Sequence, residues 1–346
     1  MLSVSSAHSV ARPAAQLGRN ALLNFLVRVT TASVLVAGAG FASAAQLSTD
    51  ARTAIPHDVQ QLVAIDYRVM QNSTAAMDLK ARVMPPELKQ FENALRKSGL
   101  NDKNDIDQYV DQLAFALFRP KSNGGGGDVV DTLGIAQGQF PTQDIVANFN
   151  KKAVKAKLVR TNRIYPMGRT GMVVCFVDPS TMVFGGSDAV KEALDARDGL
   201  SRNLLTNATI MDAMKSVDAE PLWSILDQTG TQTMLRQILG EAGSLTDFET
   251  VQKHLLASWY SMSFQTGVRF DLSIATGDTF ASATISSLLN AALAYRKMSG
   301  SEPEKEALKA TDITSEAGRL TVHFATSDEE FASLLQSPLF QSMVHP

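Results

Sequence analysis

Two spacings of apolar residues alternate along this chain of 346 residues. Runs with period two, or unbroken apolar runs, predict strands over 61–69, 112–119, 131–137, 157–165, 172–177 and 181–184. Spacings of three and four predict helices between them. One is opened by Pro85 and Pro86, with Leu88, Phe91 and Leu95 on one face and Gly99 at its end. A second covers 142–152, and a third is capped by Ser187 and Asp188 and carries Val190 and Leu194. Pro120 and the four glycines from Gly124 to Gly127 mark a hairpin loop. The second half opens near Asn207 with a helix, followed by a strand over 222–226 and helices over 231–241 and 248–257. A hairpin of 259–264 and 268–275 turns at 265–267. A long helix comes next, with Ile285, Leu288, Leu289, Ala292 and Leu293 on one face. It is uncharged between Asp278 and Arg296, but Ser, Thr and Asn interrupt it, so it reads as a core helix and not a membrane span. Residues 302–306 form a solvated connector or helix start. The last strand is 320–325, and Ser327 with Glu330 forms a capping box for a helix bearing Phe331, Leu334 and Leu335.

The order strand, helix, hairpin, helix, strand, helix occurs twice. Leu133, Ile135, Ala136 and Gly138 have the spacing of Leu272, Ile274, Ala275 and Gly277. Asp66 and Asp227 both close an apolar strand. Gly171 and Gly318 each precede one, and serine-aspartate pairs at 187 and 327 follow. These matches predict a diverged internal duplication. The expected fold class is α+β: antiparallel sheets with helices packed on one face, in two copies of the unit. The expected organisation is a leader over 1–44 and α+β halves over 45–206 and 207–346, as two domains or one continuous domain.

The first 44 residues change the picture of where the protein works. They hold Arg12, Arg19 and Arg28 and no acidic residue, then an apolar stretch over 29–39, then Ala42, Ala44 and Ala45. A basic segment, a short apolar segment and an A-x-A site form the pattern of a cleaved export signal, with the working chain starting near Ala45. The expected location is therefore periplasmic or extracellular. Loss of the three arginines takes the formal charge from −3 to about −6, against a nucleic-acid partner. The single cysteine, Cys175, excludes an internal disulfide and a zinc site built from cysteines, and its apolar surroundings predict a buried thiol.

Candidate chemistry is sparse. His57, His254, His323 and His345 have no metal-ligand spacing, and His323 lies opposite the apolar side of its strand, as a satisfied core or edge histidine. No nucleophile elbow or phosphate loop occurs. Gly185, Gly186, Ser187 and Asp188 read as a turn and cap. Asp102, Asp105, Asp107 and Asp111 lack the glycine and final glutamate of a calcium loop. Asp66 and Asp227 occupy similar places in the two copies, and a carboxylate pair is what acid–base hydrolysis needs. Met167, Met172, Met182, Met211, Met214, Met234 and Met262 fall in apolar segments, as core fillers or as the lining of an apolar site. Trp223 and Trp259 read as core or rim packing.

The segments 58–66, 134–140, 182–186 and 220–227 resemble uncharacterised exported bacterial proteins of a domain-of-unknown-function type, of the sort seen in acidobacteria. That resemblance implies an exported α+β protein with no assigned activity and carries over no catalytic, cofactor-binding or metal-binding residue. The sequence reading is a non-catalytic module that binds an apolar or lipid-like molecule or an envelope protein. No cofactor, nucleic acid or transmembrane segment is expected in the mature chain. The alternative is a carboxylate-dependent hydrolase acting outside the cytoplasm.

Overall fold

The computed structural model describes residues 45–83, 89, 92–93, 108–119, 130–167, 171–239, 251–265 and 267–337. The leader, most of the proline-opened helix, the glycine loop and the three aspartates at 102, 105 and 107 lie outside the described residues. The strands are β1 (Val59–Asp66), β2 (Val110–Phe118), β3 (Asp131–Gly138), β4 (Lys157–Val159), β5 (Asn162–Pro166), β6 (Met172–Phe176), β7 (Thr181–Gly186), β8 (Leu222–Leu226), β9 (Leu255–Ser263), β10 (Val268–Thr276), β11 (Thr311–Glu316) and β12 (Arg319–Thr326). They form one antiparallel sheet in the order β11-β12-β10-β9-β8-β1-β2-β3-β7-β6-β5-β4. The fold is α+β. The helices are α1 (Thr49–Ala54), α2 (Tyr67–Gln71), α3 (Thr74–Val83), α4 (Thr142–Lys151), α5 (Ser187–Arg197), α6 (Ala208–Met214), α7 (Gln228–Leu239), α8 (Thr279–Ser299), α9 (Glu302–Lys309) and α10 (Asp328–Leu334).

The sheet is organised about the β1–β8 pair, with Val63 opposite Ser224 at its centre. The Asp66 N–H donates to the Pro221 carbonyl at 2.6 Å at one end, and the Asp227 N–H donates to the Gln60 carbonyl at 2.9 Å at the other. Outward from this centre the same pairings follow in each direction. β2 and β9 lie next, then β3 and β10, then the pairs β7–β6 and β12–β11, with β4 and β5 extending one side only. One register shift recurs, at Val110/Gln112 between β2 and β3 and at Ala275/Thr276 between β9 and β10, whereas the shift at Val59/Gln61 between β1 and β2 has no counterpart between β8 and β9. The bond from Gln139 N–H to the Tyr109 carbonyl, 2.9 Å, recurs from Gly277 to His254 at 2.7 Å. The order and register of strand pairing thus run alike on the two sides of the Val63–Ser224 pair, as far as β6 and β11.

This register overturns the residue matching read from sequence. One row of neighbours crosses the sheet through Gly134, Phe115, Val63, Ser224, Tyr260 and Leu272. The counterpart of Leu272 is therefore Gly134 and not Leu133. A slip of one residue reverses the face of every side chain, so the two L-x-I-A-x-G motifs point their Leu and Ile to opposite faces. Gly171 and Gly318 also precede non-equivalent strands, β6 and β12. The matching at Asp66 and Asp227 agrees with the register.

Both faces of the sheet carry helices in the first half, whereas a single helical face was expected. The front face, with Leu62, Ala114, Leu133, Ile135, Val183 and Trp223, packs against residues 45–55, α5 and α6. The back face packs against α4 in the first half and against α3, α7, α8, α9 and α10 in the second. In the second half α7, α8, α9 and α10 keep to that one face, while α6 lies on the front against Trp223 and Ile225. Among the described residues, no helix is long and apolar enough to cross a membrane.

Other departures have local causes. β1 stops at Asp66 because its carboxylate accepts the Val69 N–H and starts α2. The strand expected over 157–165 is a hairpin, with Arg160 at φ 54° in its turn. The end of the helix expected over 248–257 is instead the start of β9, whose Leu255 and Ala257 are buried. β11 escaped the pattern because it is an edge strand with mostly exposed, polar side chains. α5 has Gly186 as its N-cap and no side-chain cap bond, so Ser187 is not its cap.

Candidate binding face on the open sheet

Lining up equivalent positions in the two halves shows where the molecule differs from itself. On the front face of the first half, Ala114, Ile135, Val183 and Cys175 form a row under helices, all buried. Their counterparts in the second half are Trp259, Ser273, Thr321 and Thr314. In the adjacent row, Leu133, Gly185 and Val173 are replaced by Asp271, His323 and Asp312. Apart from Ala114, whose counterpart is Trp259, apolar positions have become polar. Among the described residues no helix packs over them, and α10 packs Phe331 and Leu334 against the back instead.

The switch has a backbone cause. β7 ends in Gly185 and Gly186, and Gly185 sits at φ 151°, with the Thr132 carbonyl only 2.7 Å from where a Cβ would stand. Glycine accepts that conformation and lets the chain fold directly onto the front face as α5. The counterparts in β12 are His323 and Phe324, which continue the strand. Ser327 then starts α10 by accepting the Glu330 N–H, while Glu330 caps back.

The bare face carries a line of alternating charges. Glu220 pairs with Arg269, whose Nε donates to Asp271 Oδ2 at 2.9 Å. Asp271 Oδ1 is 2.7 Å from His323 Nδ1. The Arg319 guanidinium lies 5.2 Å above the Trp259 ring, in cation–π range. These groups are half-exposed or exposed, so their pairing holds side chains in place more than it stabilises the fold. Among the described residues, no hydroxyl bonds His323 as a nucleophile would, and no three His, Cys, Asp or Glu side chains gather as a metal site.

The other sequence candidates are dispersed. Asp66 and Asp227 each accept a helix N-terminal N–H, from Val69 at 2.9 Å and Gly230 at 2.7 Å. They stand at opposite ends of the β1–β8 pair, about 20 Å apart at the usual strand rise. Burial pushes the Asp227 carboxyl up, against the Gly230 N–H and Arg119. His57 lies against Asp58 at 2.7 Å, and His254 against Asp278 at 2.6 Å, on other parts of the molecule. Asp111 pairs with Arg68. Cys175 is a free, buried thiol pushed up to about 11 by burial. Met167, Met172, Met182, Met214, Met234 and Met262 are buried in the core clusters, and Met211 packs against one of them. Ala45 is buried, donates to the Glu220 carbonyl at 3.2 Å, and accepts the Trp223 Nε1–H at 3.0 Å.

No protein-family model and no curated protein matches this chain. Among solved structures, crystal form I of TP0453 aligns with a TM-score of 0.43 at 13% identity, over 82% of this chain and 95% of that one. Crystal form III aligns with 0.44 at 12%, over 84% and 99%.

Arg269, Asp271, Ser273 and Arg319 were missed in the sequence. For Arg269, Asp271 and Ser273 the signal was present in β10, where buried Val268, Phe270, Leu272 and Ile274 alternate with polar residues. Such alternation marks a strand wet on one side. Only the comparison with β3 shows that the wet side is a departure from the other half.

Proposed function

We propose that this is an exported, non-catalytic binding module, and that the bare front face of β9, β10, β12 and β11 docks a protein of the envelope. One observation carries the reading: equivalent positions are apolar and helix-covered in one half but polar and uncovered in the other. A charged, hydrogen-bonding surface around Trp259 suits a polar macromolecular partner better than a lipid-like ligand. The roles of Asp66 and Asp227 as separated helix caps weigh against a carboxylate-dependent hydrolase. The leader, with cleavage near Ala45, supports a periplasmic or extracellular location, and the resemblance to exported bacterial proteins agrees with it. We also read the shared register as the trace of a duplication in which the second copy lost its front cover.

The test is site-specific photocrosslinking in an exporting host. A photoreactive residue replaces Thr321 on the bare face, and a second chain carries it at exposed Lys191 on α5. A defined protein adduct at 321 and none at 191 supports the reading. Equal labelling at both positions, or none at 321, counts against it. N-terminal sequencing of the exported protein tests the address separately, since a chain that still begins at Met1 contradicts cleavage.

A further inference from the structure

We infer that two copies of this chain associate through α8, packed antiparallel about a twofold axis near residue 289. The surface involved is on the back layer and is independent of the face proposed above. α8 is 21 residues long, about 31 Å at the helical rise. Ala281, Ile285 and Leu289 bury one side of it in the core. The opposite side is exposed and apolar or small: Phe280, Ser287, Ala291, Ala294, Tyr295 and Met298. Phe280, Tyr295 and Met298 are 76%, 69% and 84% exposed, the three highest values among the exposed large hydrophobic residues. A surface helix ordinarily puts charges on its outer side. This one has none from Thr279 to Tyr295.

The pattern is complementary to itself. Phe280 and Met298 are separated by five helical turns and stand on one line, equally far from residue 289. Ser287 and Ala291 flank the midpoint, where small side chains permit close approach of two backbones. A twofold interface requires a patch that matches its own copy. In the antiparallel arrangement Met298 of one copy meets Phe280 of the other, a favourable sulfur–aromatic contact. The ends match electrostatically as well. Antiparallel packing sets the two helix dipoles against each other favourably. Parallel packing would put like ends together.

The experiment is sedimentation velocity on the chain from Ala45 onward over a concentration series, beside Ala291→Glu. The native chain is expected to dimerise. Ala291→Glu sets two carboxylates against each other at the axis and should weaken the dimer at least tenfold. Its melting curve should match that of the native chain at concentrations low enough for both to be monomeric, because position 291 is exposed. In a mixture, chains bearing Ser287→Cys should form a disulfide with chains bearing Ala291→Cys, while neither variant crosslinks efficiently alone. A native chain that stays monomeric at every concentration overturns the inference, as does a dimer that Ala291→Glu leaves intact. A monomer that floats with phosphatidylcholine vesicles, and loses this with Phe280→Ser, also overturns it in favour of a lipid surface.

Discussion

At the residue scale, burial decides behaviour that residue type leaves open. Cys175 and Thr314 occupy equivalent positions, yet one is sealed beneath α5 and the other faces solvent. With its thiol raised to about 11, Cys175 has almost no thiolate near neutrality. Native protein at pH 7 should therefore resist a maleimide that labels the urea-unfolded chain within minutes, and mass spectrometry reads the difference. Asp227 gives a pH-dependent case. Its folded carboxyl is raised by burial, so the folded state holds the proton more tightly than the unfolded chain does. Stability from this group is lost as pH rises from the ordinary aspartate range through the raised value. Asp227→Asn keeps a good cap and removes the buried charge. The variant should gain on the native protein in chemical denaturation as pH is raised from 4 to 7. A difference independent of pH would assign the effect to something other than titration. Trp223→Phe should cost about 1–3 kcal/mol, because the Ala45 carbonyl loses its buried donor.

At the element scale, small residues at strand ends steer whole helices. Gly185 gives the clearest test. Alanine there meets the Thr132 carbonyl at 2.7 Å and must adopt φ 151°, so Gly185→Ala should cost about 1–3 kcal/mol. The loss should appear first as faster hydrogen exchange in α5 and in the α1 segment that it holds. Gly134 serves packing instead. A Cβ there would stand 2.2 Å from the Phe184 ring, which meets Phe115 edge-on at 6.1 Å. These glycines were visible in the sequence, but their roles were not, because each role is set by an atom on a neighbouring strand.

At the scale of the molecule, β1 and β8 join the halves through the middle of one sheet, and neither has a free edge in the folded chain. Residues 45–55 belong to the first half in sequence but pack with Trp223 and Ile225 of the second. Urea unfolding should therefore be a single transition. Trp fluorescence and hydrogen exchange in β6 and β7 should report the same midpoint. Separate midpoints would show that the halves fold as independent domains.

The sequence by itself determined the α+β class, most strand positions, the capping box at Ser327 and the burial of Cys175. These follow from spacing and local hydrogen bonds, which act over a few neighbouring residues. The tertiary structure decided the strand register, the joining of all the strands into one continuous sheet, and which face each helix covers. Register depends on pairing between strands distant in sequence, and a shift of one residue leaves the composition unchanged while reversing every side chain. For that reason the bare face of Trp259, Asp271, Arg319 and His323 could be found only once the two halves were aligned in space.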